Sequence, residues 1–255
     1  MIFQIDHVAF SSLNFEEDCK IFKSLGYKEH FIEKSCQNLA TKKPMLKHFT
    51  EDLDVALLTC PSNFSIELLN HRSIDPAESY LSPIFDNMPE NYFVHTGEQI
   101  INNIILQKAT LKAFDLPVYI QNTAERHSFK FNKIIIKTEN IKESVLFWEY
   151  FNFKPISIEK KFAFLQFNSM FTNDVYQIIL KKEKNVNRPF YLDSKGFNCL
   201  AFITNSAEKE KESLEKESIK VTEMVKKFNL NKKLLNIFFA IGPSGEIIEV
   251  IGINN

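Results

Sequence analysis

Glycine is scarce in this chain. Six glycines in 255 residues leave no G-x-G-x-x-G run and no Walker-type loop, so the usual nucleotide-binding fingerprints are excluded. Arginine is scarcer still: Arg72, Arg126 and Arg188 are the only three, which leaves few bidentate anion clamps. Neither sign of charge dominates. With 31 Lys+Arg against 32 Asp+Glu the formal net charge is -1, and nucleic-acid binding loses its electrostatic driver. The four cysteines Cys19, Cys36, Cys60 and Cys199 lie far apart without a C-x-x-C pair, which excludes a disulfide framework or a zinc ribbon. No stretch approaches 18 apolar residues, so no membrane span is expected. The opening MIFQIDHVAF lacks a basic region followed by a long apolar run, unlike a signal peptide. The expectation is a soluble, cytoplasmic protein.

What the chain has is internal repetition. Three segments share one grammar. The first opens with the strand-like Ile5–Phe10, continues with a helix-like Asn14–Phe22 and reaches Leu25-Gly26-Tyr27-Lys28. The second opens with Phe131–Ile136, has a helix over Asn140–Phe151 and then Phe151-Asn152-Phe153-Lys154. The third opens with Phe197–Phe202 and runs into a helix after Ser206. Phe15, Cys19 and Phe22 recur at i, i+4, i+7, as do Ile141, Val145 and Trp148, which is the stripe of an amphipathic helix. Gly26 is placed as a C-terminal cap and Asn140 as an N-cap. The third helix is nearly all Glu and Lys over Glu208–Glu217, the pattern of a solvated face.

Three strand-like runs follow each helix. They are Tyr27–Ser35, Asp54–Cys60 and Phe64–His71 in the first unit, and Phe153–Glu159, Phe162–Phe167 and Val175–Lys181 in the second. In the third they are Lys220–Lys226, Leu235–Ile241 and Glu246–Ile253, with Gly242-Pro243-Ser244-Gly245 as a tight turn. Each unit therefore reads β-α-β-β-β, an α+β pattern. Residues 73–125 break it: Asp75-Pro76, Ser82-Pro83 and Met88-Pro89 punctuate a loop-rich stretch. There Gln99–Phe114 reads as a helix and Val118–Ile120 as a short strand. The expected organisation is a first module over 1–72, a linker or degenerate module over 73–125, and paired modules over 126–255 (126–185 and 195–255).

The stretches IDHVAF with LGYK and SIELLN, NKIIIKTENIKESVLFWEYFNFKP, and DSKGFNCLAF with IGPSGEIIEVIGI resemble the vicinal oxygen chelate superfamily. That superfamily includes glyoxalase I, methylmalonyl-CoA epimerase, extradiol dioxygenases and fosfomycin- and bleomycin-resistance proteins. The resemblance implies modules paired into curved, cup-like mixed sheets, with a metal and a small-molecule substrate inside the cup. It also implies a His from the first strand of a module and a Glu or Gln from its last strand as ligands. Carried onto this sequence, the first unit supplies His7 and Glu67. Lys133 and Cys199 stand at the His position of the other units, and Gln177 and Glu249 at the Glu position. His95, in Tyr92-Phe93-Val94-His95, is a candidate to complete the first site.

The candidate metal ligands are thus His7, Glu67, His95 and Glu249, with Glu67 and Glu249 as candidate proton carriers. The implied cofactor is a divalent metal (Fe, Mn, Zn, Ni or Co), or none if the site is degenerate. Period-two alternation places His7 on one face with Ile5 and Ala9, and Glu67 opposite Ile66 and Leu68. His30, His48, His71 and His127 have no motif around them and are expected at the surface. Two functions compete: a glyoxalase-like, metal-dependent enzyme (isomerase, lyase or dioxygenase type), and a metal-free protein that binds or sequesters a small apolar compound. An odd number of complete units further suggests a homodimer.

Overall fold

The structure is a computed structural model that describes residues 2–102, 104–123, 129–184 and 190–253; His127 lies outside them. The first unit comprises β1 (Ile2–Ser11), α1 (Phe15–Ser24), β2 (Lys28–Gln37), β3 (Asp52–Thr59) and β4 (Ile66–Asn70). Phe15, Cys19 and Phe22 form the buried stripe of α1. Gly26, at φ +96°, ends that helix while its N–H bonds to the carbonyl of Lys23. That left-handed conformation is what a residue without Cβ adopts at no cost.

After β5 (Asp75–Glu78) come four more strands: β6 (Leu81–Asp86), β7 (Phe93–Ile101), β8 (Ile104–Leu111) and β9 (Leu116–Gln121). They follow the same strand order with a 3-10 turn, Glu90–Tyr92, where the other units have a helix. The helix expected over Gln99–Phe114 is therefore corrected: β7 runs to Ile101, and Ile104–Leu111 is β8. The isoleucines at 100, 101, 104 and 105 favour extended backbone. Asn102 sits at φ +45° in the turn, a conformation Asn tolerates.

The next unit is regular, with β10 (Lys130–Thr138), α2 (Ile141–Tyr150), β11 (Lys154–Ile158), β12 (Phe162–Asn168) and β13 (Val175–Lys182). Asn140 caps α2, its side chain accepting from the N–H groups of Lys142 and Glu143, which satisfies two orphan donors of the first turn. The last unit has β14 (Ser194–Thr204), α3 (Ala207–Lys216), β15 (Lys220–Val221), β16 (Val225–Leu230), β17 (Lys233–Ile241) and β18 (Ile247–Ile253). The run Lys220–Lys226, expected as one strand, is divided between β15 and β16. The turn between β17 and β18 closes on a bond from Gly245 N–H to Gly242 carbonyl.

These strands make two curved mixed sheets, ten- and eight-stranded among the described residues. The larger runs β15-β17-β18-β14-β1-β4-β3-β2, and the smaller β11-β12-β13-β10-β6-β9-β8-β7. The expected pairing of 126–185 with 195–255 is thus corrected. The first unit joins the last through antiparallel β1 and β14, while the unit at 130–182 joins the strands of 81–121 through β10 and β6. Both β14 and β1 are buried along almost their whole length, as befits central strands of the larger sheet.

The two sheets share one core. A chain of rings runs through it: Phe10 against Phe114 and Phe197 at 5.0 and 4.8 Å, Phe197 against Phe131 at 5.1 Å, and Phe131 against Phe85 at 4.9 Å. Each fully buried ring contributes about 1.5–3 kcal/mol by burial, with offset and edge-on pairs adding roughly 0.5–1.5 kcal/mol. The phenylalanine excess is therefore spent mainly in clamping the backs of two cups together.

Candidate functional site

The site begins with a bulge. In the β1–β14 ladder Ile5 pairs with Phe202 but His7 pairs with Ala201, so Asp6 is an extra residue with no partner of its own. A bulge re-aims the side chains that follow it. Ile5 consequently packs with Val8 and Phe10 in the shared core, while His7 and Ala9 face into the first cup. The expectation that Ile5 and His7 share a face fails for that reason. Glu67 does lie opposite Ile66 and Leu68, which are in the shared core.

Register then brings three donors together. His7, Ala201 and Glu249 lie in one row across β1, β14 and β18; Ala9 and Glu67 lie in the next, across β1 and β4. Ala9 and Ala201 carry only methyl groups, so the longer side chains beside them converge above the sheet. Nε2 of His7 is 3.2 Å from a carboxylate oxygen of Glu67 and 3.6 Å from one of Glu249. One ligand atom from each of the three lies within 4.8 Å of the others. All three are buried, His7 to 2% exposure.

Asp6 orients the ring. Nδ1 of His7 is 2.8 Å from Oδ2 of Asp6, and an ionised carboxylate can only accept, so Nδ1 carries the proton. Nε2 then faces two carboxylates and makes no hydrogen bond of acceptable geometry. Two arrangements relieve this: protonation of Nε2, or a cation among the three groups. Burial pushes the His7 pKa down, but Glu67, Asp6 and Glu249 together raise it well above its ordinary value. Burial raises Glu67, and the imidazolium of His7 outweighs it, holding Glu67 below the usual carboxylate range. One nitrogen and two carboxylates, with the ring fixed by an outer carboxylate, fit a divalent metal.

The other expected residues lie elsewhere. His95 is exposed on β7, at the edge of the other sheet and paired with Ala109; it does not join His7. Cys199 pairs with Ala9 and is buried, which pushes its thiol well above the ordinary range. His30 and His48 are exposed as expected, but His71 is fully buried. Both its ring nitrogens lack hydrogen-bond partners, and burial, helped by the charge of Lys42, lowers its pKa to about 3.

The second cup is filled. By register Lys133 occupies the place of His7, and Ile135 and Ile84 replace the two alanines. The residue matching Glu67 is Ile179, which pairs with Ile135, rather than Gln177. Ile84, Ile135 and Ile179 pack together with Ile101 and Leu106. Lys133 Nζ donates to both oxygens of Asp86 (2.9 and 2.7 Å) and to Oε1 of Gln121 at 2.9 Å, a closed ion pair.

Two cavities meet the three-donor cluster. The larger, about 160 Å³, is lined by His7, Glu67 and Glu249 and by apolar side chains such as Phe31, Leu57 and Leu235. A smaller one of about 30 Å³ lies beside the two glutamates and is bordered by Asn38 and Lys42. Asp6 and Lys42 were not among the residues the sequence nominates. Only the adjacency of Asp6 to His7 could have pointed to it, and Lys42, in Ala40-Thr41-Lys42-Lys43, carries no signal.

No protein-family model and no curated protein matches the sequence. Solved structures do. Glyoxalase I from Zea mays superposes with a TM-score of 0.66 at 12% identity, covering 98% of this chain and 92% of that one. A proposed dioxygenase from Bacillus subtilis superposes with a TM-score of 0.63 at 12% identity, covering 100% of this chain and 86% of that one. The chain has a glyoxalase-like, vicinal oxygen chelate-type fold.

Proposed function

We propose that this protein is a metal-dependent enzyme of the vicinal oxygen chelate type, acting on a small organic substrate in the cup formed by the first and last units. The observation that carries the reading is the convergence of His7, Glu67 and Glu249 on one point, with Nε2 of His7 left without a hydrogen bond. His7, Glu67 and Glu249 would hold the ion. A divalent metal bound there supplies Lewis-acid polarisation of a substrate oxygen.

The chain's own groups do the rest. Asp6 holds His7 in the tautomer that presents Nε2. Phe31, Leu57 and Leu235 exclude water from one side of the cavity, which strengthens every charge interaction inside it. Glu67 and Glu249 both border the cavity, so a carboxylate oxygen of either can take a proton from the substrate and return it. Isomerase, lyase and dioxygenase chemistry all use such parts, and the fold alone does not choose among them.

The test is metal analysis of purified protein beside His7→Ala and Glu67→Ala/Glu249→Ala variants. About one divalent ion per chain in the parent, and its loss in both variants, supports the reading; a parent without metal sinks it. The second reading, a metal-free binding protein, draws support from the contacts of His7 with both glutamates, which an imidazolium satisfies without any ion. Ligand-induced thermal stabilisation that survives a chelator would favour it.

A further inference from the structure

A second cleft, apart from the first cup, opens where β1 ends and α1 begins. It has a volume of about 400 Å³ and shares no lining residue with the two cavities at the three-donor cluster. Phe10, Leu13, Ile74, Pro76 and Phe114 give it apolar walls. Its buried polar end is built from Ser11, Ser12 and Asp18, none more than 5% exposed. The Ser11 hydroxyl donates to the carbonyl of Leu192 at 2.6 Å, and the Ser12 hydroxyl donates to Oδ2 of Asp18. Both hydroxyl protons are thus committed, and what these side chains still offer is lone pairs. Oδ1 of Asp18 makes no hydrogen bond and is not sealed off from solvent, so it is open to the cleft. No cation among the described residues lies within 4.0 Å of this carboxylate; the ammonium of Lys195, which also lines the cleft, is engaged with the carbonyl and the carboxylate of Asp115 at 3.0 and 3.2 Å. Burial raises the Asp18 carboxyl to about 6, and nearby Glu17 adds to the rise. Above that pH the cleft holds a buried negative charge met only by a hydroxyl.

We propose that this cleft is a second ligand site, and that it takes a primary ammonium carrying a compact apolar body. The ammonium donates to Oδ1 of Asp18 and to the hydroxyl oxygens of Ser11 and Ser12, and the body lies against Phe10 and Phe114. Three N–H donors then meet three acceptors. An anion is repelled by Asp18, and a neutral apolar compound leaves that carboxylate without a counter-charge. The His7 cluster takes no part in this site, so the inference and the metal-dependent reading of the first cup stand or fall separately.

Phenethylamine, cationic at about pH 8, and neutral phenethyl alcohol are the probes, titrated calorimetrically into the full chain at that pH. The expected result is the ammonium binding at least about tenfold tighter than the alcohol, the worth of one charge-assisted hydrogen bond. Asp18→Asn should abolish that preference. Asp115→Asn, which removes an exposed carboxylate already paired with Lys195, should leave it within about twofold. Glu67→Gln/Glu249→Gln, which strips the carboxylates of the first cup, should also leave it within about twofold. Asp18→Asn should melt no lower than the parent, because it removes a buried charge without a cation and keeps an acceptor for Ser12. A measurement on the unaltered chain accompanies the variants: bound phenethylammonium should lower the pH at which the Asp18 carboxyl titrates, followed by its NMR resonance. No binding of the ammonium, equal affinity for the two probes, or a preference that survives Asp18→Asn overturns the proposal. So does a preference lost in Asp115→Asn or in Glu67→Gln/Glu249→Gln, or an Asp18 titration that the amine does not move.

Discussion

Asp6 and His7 are consecutive residues whose side chains hydrogen-bond to each other, Oδ2 to Nδ1 at 2.8 Å. Neighbours on a regular strand point to opposite faces, so this contact exists only because β1 bulges at that point. Asp6→Asn keeps the bulge and the size of the side chain but exchanges the anionic acceptor for an amide. It should weaken metal binding by about 10–100-fold while leaving the melting temperature nearly unchanged. Titration with a competing chelator measures it, and an unaltered metal affinity would show that Asp6 does not position the ring.

The buried His71 makes the fold acid-sensitive. Its folded-state pKa of about 3 lies below the ordinary 6.5, so between those values the unfolded chain binds the extra proton. Stability attributable to His71 is therefore complete above about pH 6.5 and is lost as pH falls toward 3. The loss should be about 2–4 kcal/mol. His71→Leu, which removes two unpartnered ring nitrogens, should flatten stability against pH in urea titrations over that window. A slope identical to the parent's would refute the assignment.

Asp18 acts in the opposite sense. Burial raises its carboxyl to about 6, although Ser12 Oγ donates to it. The folded state holds the proton more tightly than the unfolded chain, so stability present below about pH 4 declines as pH rises through 6. Asp18→Asn, which keeps an acceptor for Ser12, should stabilise the protein at pH 7 by about 1–3 kcal/mol and make no difference at pH 4. Thermal melts at the two pH values decide it.

Lys133 and Asp86 stand or fall together. Lys133→Met strands a buried carboxylate and should cost about 3–5 kcal/mol, whereas the double variant Lys133→Met/Asp86→Leu should recover most of the loss. Metal content should be untouched in both, because this pair lies in the other sheet. A change in metal content would contradict the separation of the two cups.

Much of the fold was legible because the units repeat the same spacing. The distance from His7 to the start of α1 equals that from Lys133 to α2 and from Cys199 to α3, and the buried helix stripes follow from periodicity. The hairpin of β7 and β8 is not legible, because isoleucine-rich runs at 100–106 suit a buried helix as well as a strand. Pairing was illegible, since nothing local in β14 states that its neighbour is β1. Within the site, His7, Glu67 and Glu249 could be nominated from strand openings and endings. His95 could not be told apart from them there, and the burial of His71 carries no local signal. Ala9 against Ile135 was a signal in plain view: a small residue leaves a cup open and a large one fills it.

The pairing of the first unit with the last has a consequence for how the protein is made. His7 and Glu249 stand 242 positions apart in the sequence and meet on one point. In chain order His7 and Glu67 precede β14, which covers the seam along β1, and β18, which carries Glu249. Long-range closure of this kind is slow, and an uncovered strand edge invites wrong partners. A nascent chain halted before β18 would hold a finished second cup and no centre in the first. The three-donor cluster would therefore be completed in one step, with β18.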